Sequence, residues 1–153
     1  MKPSDNVIVI LMADDDEDDR LLTADALLAS KLANDFKTVG DGEELMDYLH
    51  HRGKYAPPGS SPRPGLVLLD LNMPRKDGRE ALREMKADPA LQSIPVVILT
   101  TSQTEYEIAS AYNLGANSFI VKPVTFDGLV EVMRVATEYW LQIVHLPSGA
   151  AER

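Results

Sequence analysis

Val7-Ile8-Val9-Ile10-Leu11-Met12-Ala13-Asp14-Asp15 decides the fold, because seven apolar residues run straight into two carboxylates. The pattern recurs downstream. Leu66-Val67-Leu68-Leu69 runs into Asp70, Val96-Val97-Ile98-Leu99 into Thr100, and Phe119-Ile120-Val121 into Lys122. Continuous apolar runs of this kind, bounded by polar turns and separated by helix-like stretches, read as strands of a parallel sheet covered on both faces. Ligands of such sheets bind beside the carboxyl ends of the strands. Three carboxylates, a hydroxyl and an ammonium are therefore expected on one edge, a site suited to a divalent cation and a phosphoryl group.

The intervening segments read as helices and turns. Asp16 to Asp19 supply caps and first-turn acids for a helix whose apolar face is expected at Leu21, Ala24 and Leu28, with Leu32 one turn on. A short second strand is expected over residues 36–39. Gly40-Asp41-Gly42 then turns into a helix carrying Leu45, Tyr48 and Leu49. The stretch APPGSSPRPG, residues 56–65, predicts an extended surface loop, since proline lacks the backbone donor and fixes φ. Asp77-Gly78 leads into a helix with Leu82 and Met85 inward. Thr104 is placed to cap a helix with Ile108, Ala111 and Leu114 on its apolar face and Gly115 at its end. The last helix, residues 126–144, shows a core stripe of Phe126, Leu129, Val130, Met133, Ala136, Trp140 and Ile143, while Val132, Val135 and Tyr139 spread beyond it. Five strand–helix alternations with right-handed crossovers predict a flavodoxin-like, doubly wound α/β three-layer sandwich with strand order 2-1-3-4-5. Asp14, Asp15 and Asp70 fall where the winding reverses.

The chain has 153 residues, which suits one domain with a core over about 5–144 and no output domain. A net charge of -9 argues against a nucleic-acid surface, which needs clustered Lys and Arg. The absence of cysteine is compatible with the cytoplasm. The apolar residues before Asp14 are few and an acidic cluster follows them, so neither a signal peptide nor a membrane span is expected.

Crowded carboxylates repel, and a hard cation relieves them. Magnesium takes oxygen ligands in near-octahedral geometry, with Asp15 and Asp70 as expected direct ligands, Asp14 acting through water and the Asn72 backbone carbonyl filling another position. Asp70, alone at the middle of the sheet, is the candidate nucleophile for an aspartyl phosphate. Lys122 would pair with phosphoryl charge and Thr100 would donate to a phosphoryl oxygen. Taken singly, each residue has a blander reading: an acidic helix start, a strand-end turn, a helix-side cap, an exposed lysine. Their joint occurrence outweighs those readings. An EF-hand over Asp14, Asp16 and Asp18 fails, because Gly is replaced by Asp19 at position six and Glu by Asp25 at position twelve. His50 and His51 are expected to be solvated, without partners.

The motifs Asp14-Asp15, Leu69-Asp70-Leu71-Asn72-Met73-Pro74 with Asp77-Gly78, Thr100 and Lys122-Pro123 together resemble the receiver domain of two-component response regulators. The narrower resemblance is to stand-alone receivers paired with bacterial phytochrome kinases, through Asn72-Met73-Pro74-Arg75-Lys76-Asp77-Gly78-Arg79, Leu99-Thr100-Thr101-Ser102, Tyr139-Trp140-Leu141 and Leu146-Pro147. The resemblance implies magnesium-dependent phosphotransfer from a sensor histidine kinase to Asp70, after which Thr100 moves toward the phosphoryl group and the aromatic residue at Phe119 changes rotamer. It places Asn72 and Ser102 at positions that tune phosphate lifetime. Thr101 stands where a smaller residue is usual, and its bulk is expected to restrict access to the phosphoryl group. The resemblance further implies a cis Lys122-Pro123 bond and a homodimer through the last helix and the strand-five face. Two alternatives compete: a magnesium-dependent phosphatase with an aspartate nucleophile, and a relay that passes phosphate to a histidine phosphotransfer protein. The phosphatase motif of Asp-x-Asp followed by Thr or Val is not met, since Asp16 is followed by Glu17.

Overall fold

The computed structural model describes residues 8–30, 34–101 and 104–140. Strands β1 (Ile8–Ala13), β2 (Asn34–Val39), β3 (Leu66–Leu69), β4 (Val96–Thr100) and β5 (Ser118–Val121) form one parallel sheet in the order β2-β1-β3-β4-β5. Helices α1 (Glu17–Ser30), α2 (Gly42–His50), α3 (Gly78–Ala87), α4 (Glu105–Asn113) and α5 (Phe126–Glu138) alternate with them. The expected doubly wound sandwich is the observed one.

Alternation along the strands divides the core in two. Leu11, Ala13, Val67, Leu69, Val96 and Ile98 face α2, α3 and α4. Ile10, Met12, Leu66, Leu68, Val97 and Leu99 face α1 and α5, against Ala26, Leu27, Leu129, Met133 and Trp140. The central strands are buried on both sides, which is why their sequences are continuously apolar.

Polar side chains fix the helix starts as the sequence suggests. Asp41 caps α2 by accepting from the Glu44 N–H, Asp77 caps α3 through the N–H groups of Arg79 and Glu80, and Thr104 caps α4 through that of Glu107. Gly115 follows α4 at φ 110°, the left-handed conformation expected of a C-terminal glycine. At Gly78 a side chain would collide with the Asp70 carbonyl, so glycine lets α3 begin directly beneath the Asp70 loop.

Several local expectations need correction. The buried face of α1 is Thr23, Ala26 and Leu27, whereas Leu21 and Leu28 are 58% and 77% exposed. This helix carries two apolar stripes, and the one with the small residues allows close packing on α5. Phe126 is likewise 44% exposed at the first turn of α5, not in its core stripe. Ile143, Leu32 and the expected continuation of α5 to residue 144 lie outside the described residues. The proline-rich segment is tied down rather than merely extended. The Tyr48 hydroxyl donates to the Pro62 carbonyl, the Gly65 N–H donates to the Val9 carbonyl, and Ser61 is buried beside His51 Nδ1 at 2.6 Å. Both histidines are exposed as expected, but His51 has a partner in Ser61, while His50 lies 3.8 Å from Asp88, beyond hydrogen-bond distance.

Candidate functional site

Each polar residue at a strand end continues the ladder of its neighbour. The Asp14 N–H donates to the Val39 carbonyl, the Asp70 N–H to that of Ala13, and the Lys122 N–H to that of Thr100. The sheet register thus brings Asp14, Asp70 and Lys122 to one edge. The side chains then meet across the strands. Thr100 Oγ1 donates to Asp70 Oδ1 at 2.8 Å, and the Asn72 N–H donates to the same oxygen at 3.1 Å. Lys122 Nζ reaches Asp14 Oδ2 at 2.6 Å, Asp19 Oδ2 at 2.7 Å and Asp70 Oδ2 at 3.2 Å. Asp70 is therefore held at one oxygen by neutral donors and at the other by a cation.

Thr100 and Asp14 are fully buried, whereas Asp15 is exposed. Burial pushes the Asp14 carboxyl above the ordinary carboxylate range, and the bonds from Lys122 and the Asp16 N–H offset only part of that effect. Burial also opposes the Lys122 charge, yet its bonds to Asp14 and Asp19 and the fields of Asp14 and Asp70 hold its pKa above the usual lysine value. The lysine is thus a permanent cation among more carboxylates than it can neutralise. Asp14, Asp15 and Asp70 each bring one oxygen to within 4.8 Å of the others. That all-oxygen donor set, anionic and open to solvent at Asp15, fits a hard divalent cation.

A family model described as the response regulator receiver domain matches residues 10–134. The chain belongs to the response regulator receiver family. It is 39% identical over 142 residues to the response regulator Rcp1 of Synechocystis, covering 93% of this chain and 94% of that one. Among solved structures, the phosphorylated cyanobacterial phytochrome response regulator RcpA is 42% identical with a TM-score of 0.86, covering 93% of this chain and 99% of its own. The Mn(2+)-bound form of Rcp1 is 38% identical with a TM-score of 0.84 over 92% and 99% of the two chains.

In this receiver, Asp14, Asp15, Asp70, Thr100 and Lys122 come together as the sequence suggests. Asn72 stands at the rim, exposed, and its N–H closes the turn onto Asp70. Thr101 is exposed one residue past Thr100, and Ser102 lies outside the described residues. Phe119 is half-buried against the α2–α3–α4 core layer. The Lys122-Pro123 bond is trans, correcting the cis form implied by the resemblance; trans is the intrinsically favoured isomer by about 0.5–1 kcal/mol.

Two site residues were missed, together with one ion pair between α3 and α4. Asp19 binds Lys122 from α1, and its only sequence signal is its place one helical turn after Asp15. Arg20 Nη1 donates to the Asp14 carbonyl at 2.6 Å. Arg79 joins α3 to α4 through Glu107 at 2.5 Å, the other Glu107 oxygen being buried without a hydrogen bond. No spacing rule connects residues 79 and 107.

Proposed function

We propose that this receiver accepts a phosphoryl group on Asp70 from a sensor histidine kinase and signals through the surface change that follows. The single observation that carries the reading is the Asp70 carboxylate, bonded at one oxygen by the Thr100 hydroxyl and at the other by the Lys122 ammonium. An Asp70 oxygen attacks phosphorus, the P–N bond to the donor imidazole breaks with its electron pair going to nitrogen, and the ring, already protonated at its other nitrogen, leaves as neutral imidazole. Lys122 and the Thr100 hydroxyl then turn from the carboxylate to the phosphoryl oxygens, where charge has accumulated. Asp15, Asp70 and the Asn72 carbonyl, with Asp14 acting through water, would hold a Mg2+ ion, which would supply charge neutralisation.

The switch couples Thr100 to Phe119, which lacks a hydroxyl and so reports by packing alone. Asn72, Thr101 and Ser102 set phosphate lifetime, with no carboxylate among them to activate water. A kinase of the phytochrome class fits the likeness to Rcp1 and RcpA. The α4–β5–α5 face serves as a homodimer surface, since Val135 and Tyr139 are 51% and 48% exposed beside the β5 edge. Among the described residues no helix is long and apolar enough to cross a membrane, and a cytoplasmic place matches a kinase partner.

The test is incubation with a small phosphodonor and Mg2+, scored by intact mass. The wild type is expected to gain one acid-stable, base-labile phosphoryl group, and Asp70→Asn none. An equal gain in both proteins would overturn the assignment.

A further inference from the structure

Lys122 has three ammonium hydrogens and three carboxylate partners, and the partners are not equivalent. Asp14 and Asp70 belong to the acidic cluster that fits a cation; Asp19 does not. It bonds Lys122 at 2.7 Å, shorter than the 3.2 Å contact to Asp70. Its backbone is pinned, because Asp16 Oδ1 accepts from the N–H groups of both Asp18 and Asp19 at the start of α1. Beside the pair lies a cavity of about 120 Å3 between α1 and the β5–α5 turn, lined by Leu22, Leu99, Val124 and Leu129 among others. A lysine released from its carboxylates has room to turn into that gap, away from Asp70.

We propose that Asp19 is a positioning residue for phosphoryl acceptance, holding the Lys122 ammonium at the site while the other two carboxylates are engaged elsewhere. The inference rests on the proposed phosphoacceptor role of Asp70. When an Asp70 oxygen bonds to phosphorus, the negative charge on that carboxylate is lost, and the ammonium hydrogen that had pointed to it becomes available to a phosphoryl oxygen. The bond to Asp19 keeps the ammonium from swinging aside during that exchange. Asp19 itself touches no reacting atom.

Two readouts decide this, on the full chain. In metal-free, unphosphorylated protein, hydrogen exchange at the Lys122 ammonium, followed by 15N NMR, is expected to be about tenfold faster in Asp19→Asn than in wild type, the loss of one charge-assisted hydrogen bond. With a small phosphodonor and Mg2+, Asp19→Asn is expected to be phosphorylated about tenfold more slowly, with magnesium affinity within about twofold of wild type. In a Lys122→Gln background the same substitution should change the rate no further. Unchanged ammonium exchange overturns the proposal even where phosphorylation proceeds normally, as does an equal slowing in the Lys122→Gln background. If wild type gains no phosphoryl group, the Asp70 reading fails and this role with it; the exchange measurement then still separates a held from an unheld lysine. Asp19→Ala, measured beside Asp19→Asn, guards against a new amide contact and is expected to behave the same way.

Discussion

Strands β4 and β5 are neighbours in one sheet, yet β4 is buried at all five residues while β5 is half-buried at Ser118, Phe119 and Ile120 and exposed at Val121. The first ends at Thr100, locked onto Asp70 in a dry interior. The second leads to Lys122 and borders an open apolar groove of about 550 Å3 with Val132, Val135, Tyr139 and Trp140. The side chain bonded to Asp70 sits where burial on both faces sets the register. The open apolar surface lies along the edge strand, which has one strand neighbour. The buried strand end and the open edge are thus a single strand spacing apart.

The sharpest way to break that contrast is to delete equivalent side-chain volume from each strand. Ile98→Ala in β4 is expected to cost about 2–5 kcal/mol in urea unfolding, and Ile120→Ala in β5 about 1 kcal/mol. Equal losses would show that the edge is as tightly packed as the centre. Magnesium provides the next largest effect. At a concentration one hundred times its dissociation constant it should stabilise the protein by about 2.7 kcal/mol, an increment removed by chelation and abolished in Asp15→Asn.

A smaller effect separates the two sides of the site. Because the folded-state pKa of Asp14 is raised, its ionised form is disfavoured in the native protein, and that cost is present above the folded pKa. Asp14→Asn is therefore expected to stabilise the metal-free protein by roughly 0.5–2 kcal/mol near neutral pH. The advantage should shrink as pH falls through the raised folded pKa, and vanish below the unfolded one. A constant difference across pH would rule out the electrostatic cause. Smallest in stability is Tyr139→Lys, within about 0.5 kcal/mol of wild type. Sedimentation should nevertheless show a dimer in the wild type and a monomer in this variant; matching masses would remove the α4–β5–α5 face as the dimer surface.

The strands and the site were legible because both depend on short-range pattern. An apolar run ending in Asp, Thr or Lys states its burial and its reactive end together. The α1 face was not, since Leu21, Leu28 and Leu27 are equally apolar and only the approach of α5 chooses among them. The role of Asp19 was hidden by its acidic neighbours, any of which satisfies a helix-start rule. The tethering of residues 56–65 depends on Tyr48 and Val9, distant positions that no local turn signal reveals.

The phosphoryl group is proposed to sit on Asp70. Borohydride reduction of the phosphorylated protein converts an acyl phosphate to an alcohol in place, and peptide mass mapping locates it. Homoserine is expected at position 70 alone; homoserine at position 14 or 15, with Asp70 intact, would assign the phosphoryl group to another carboxylate.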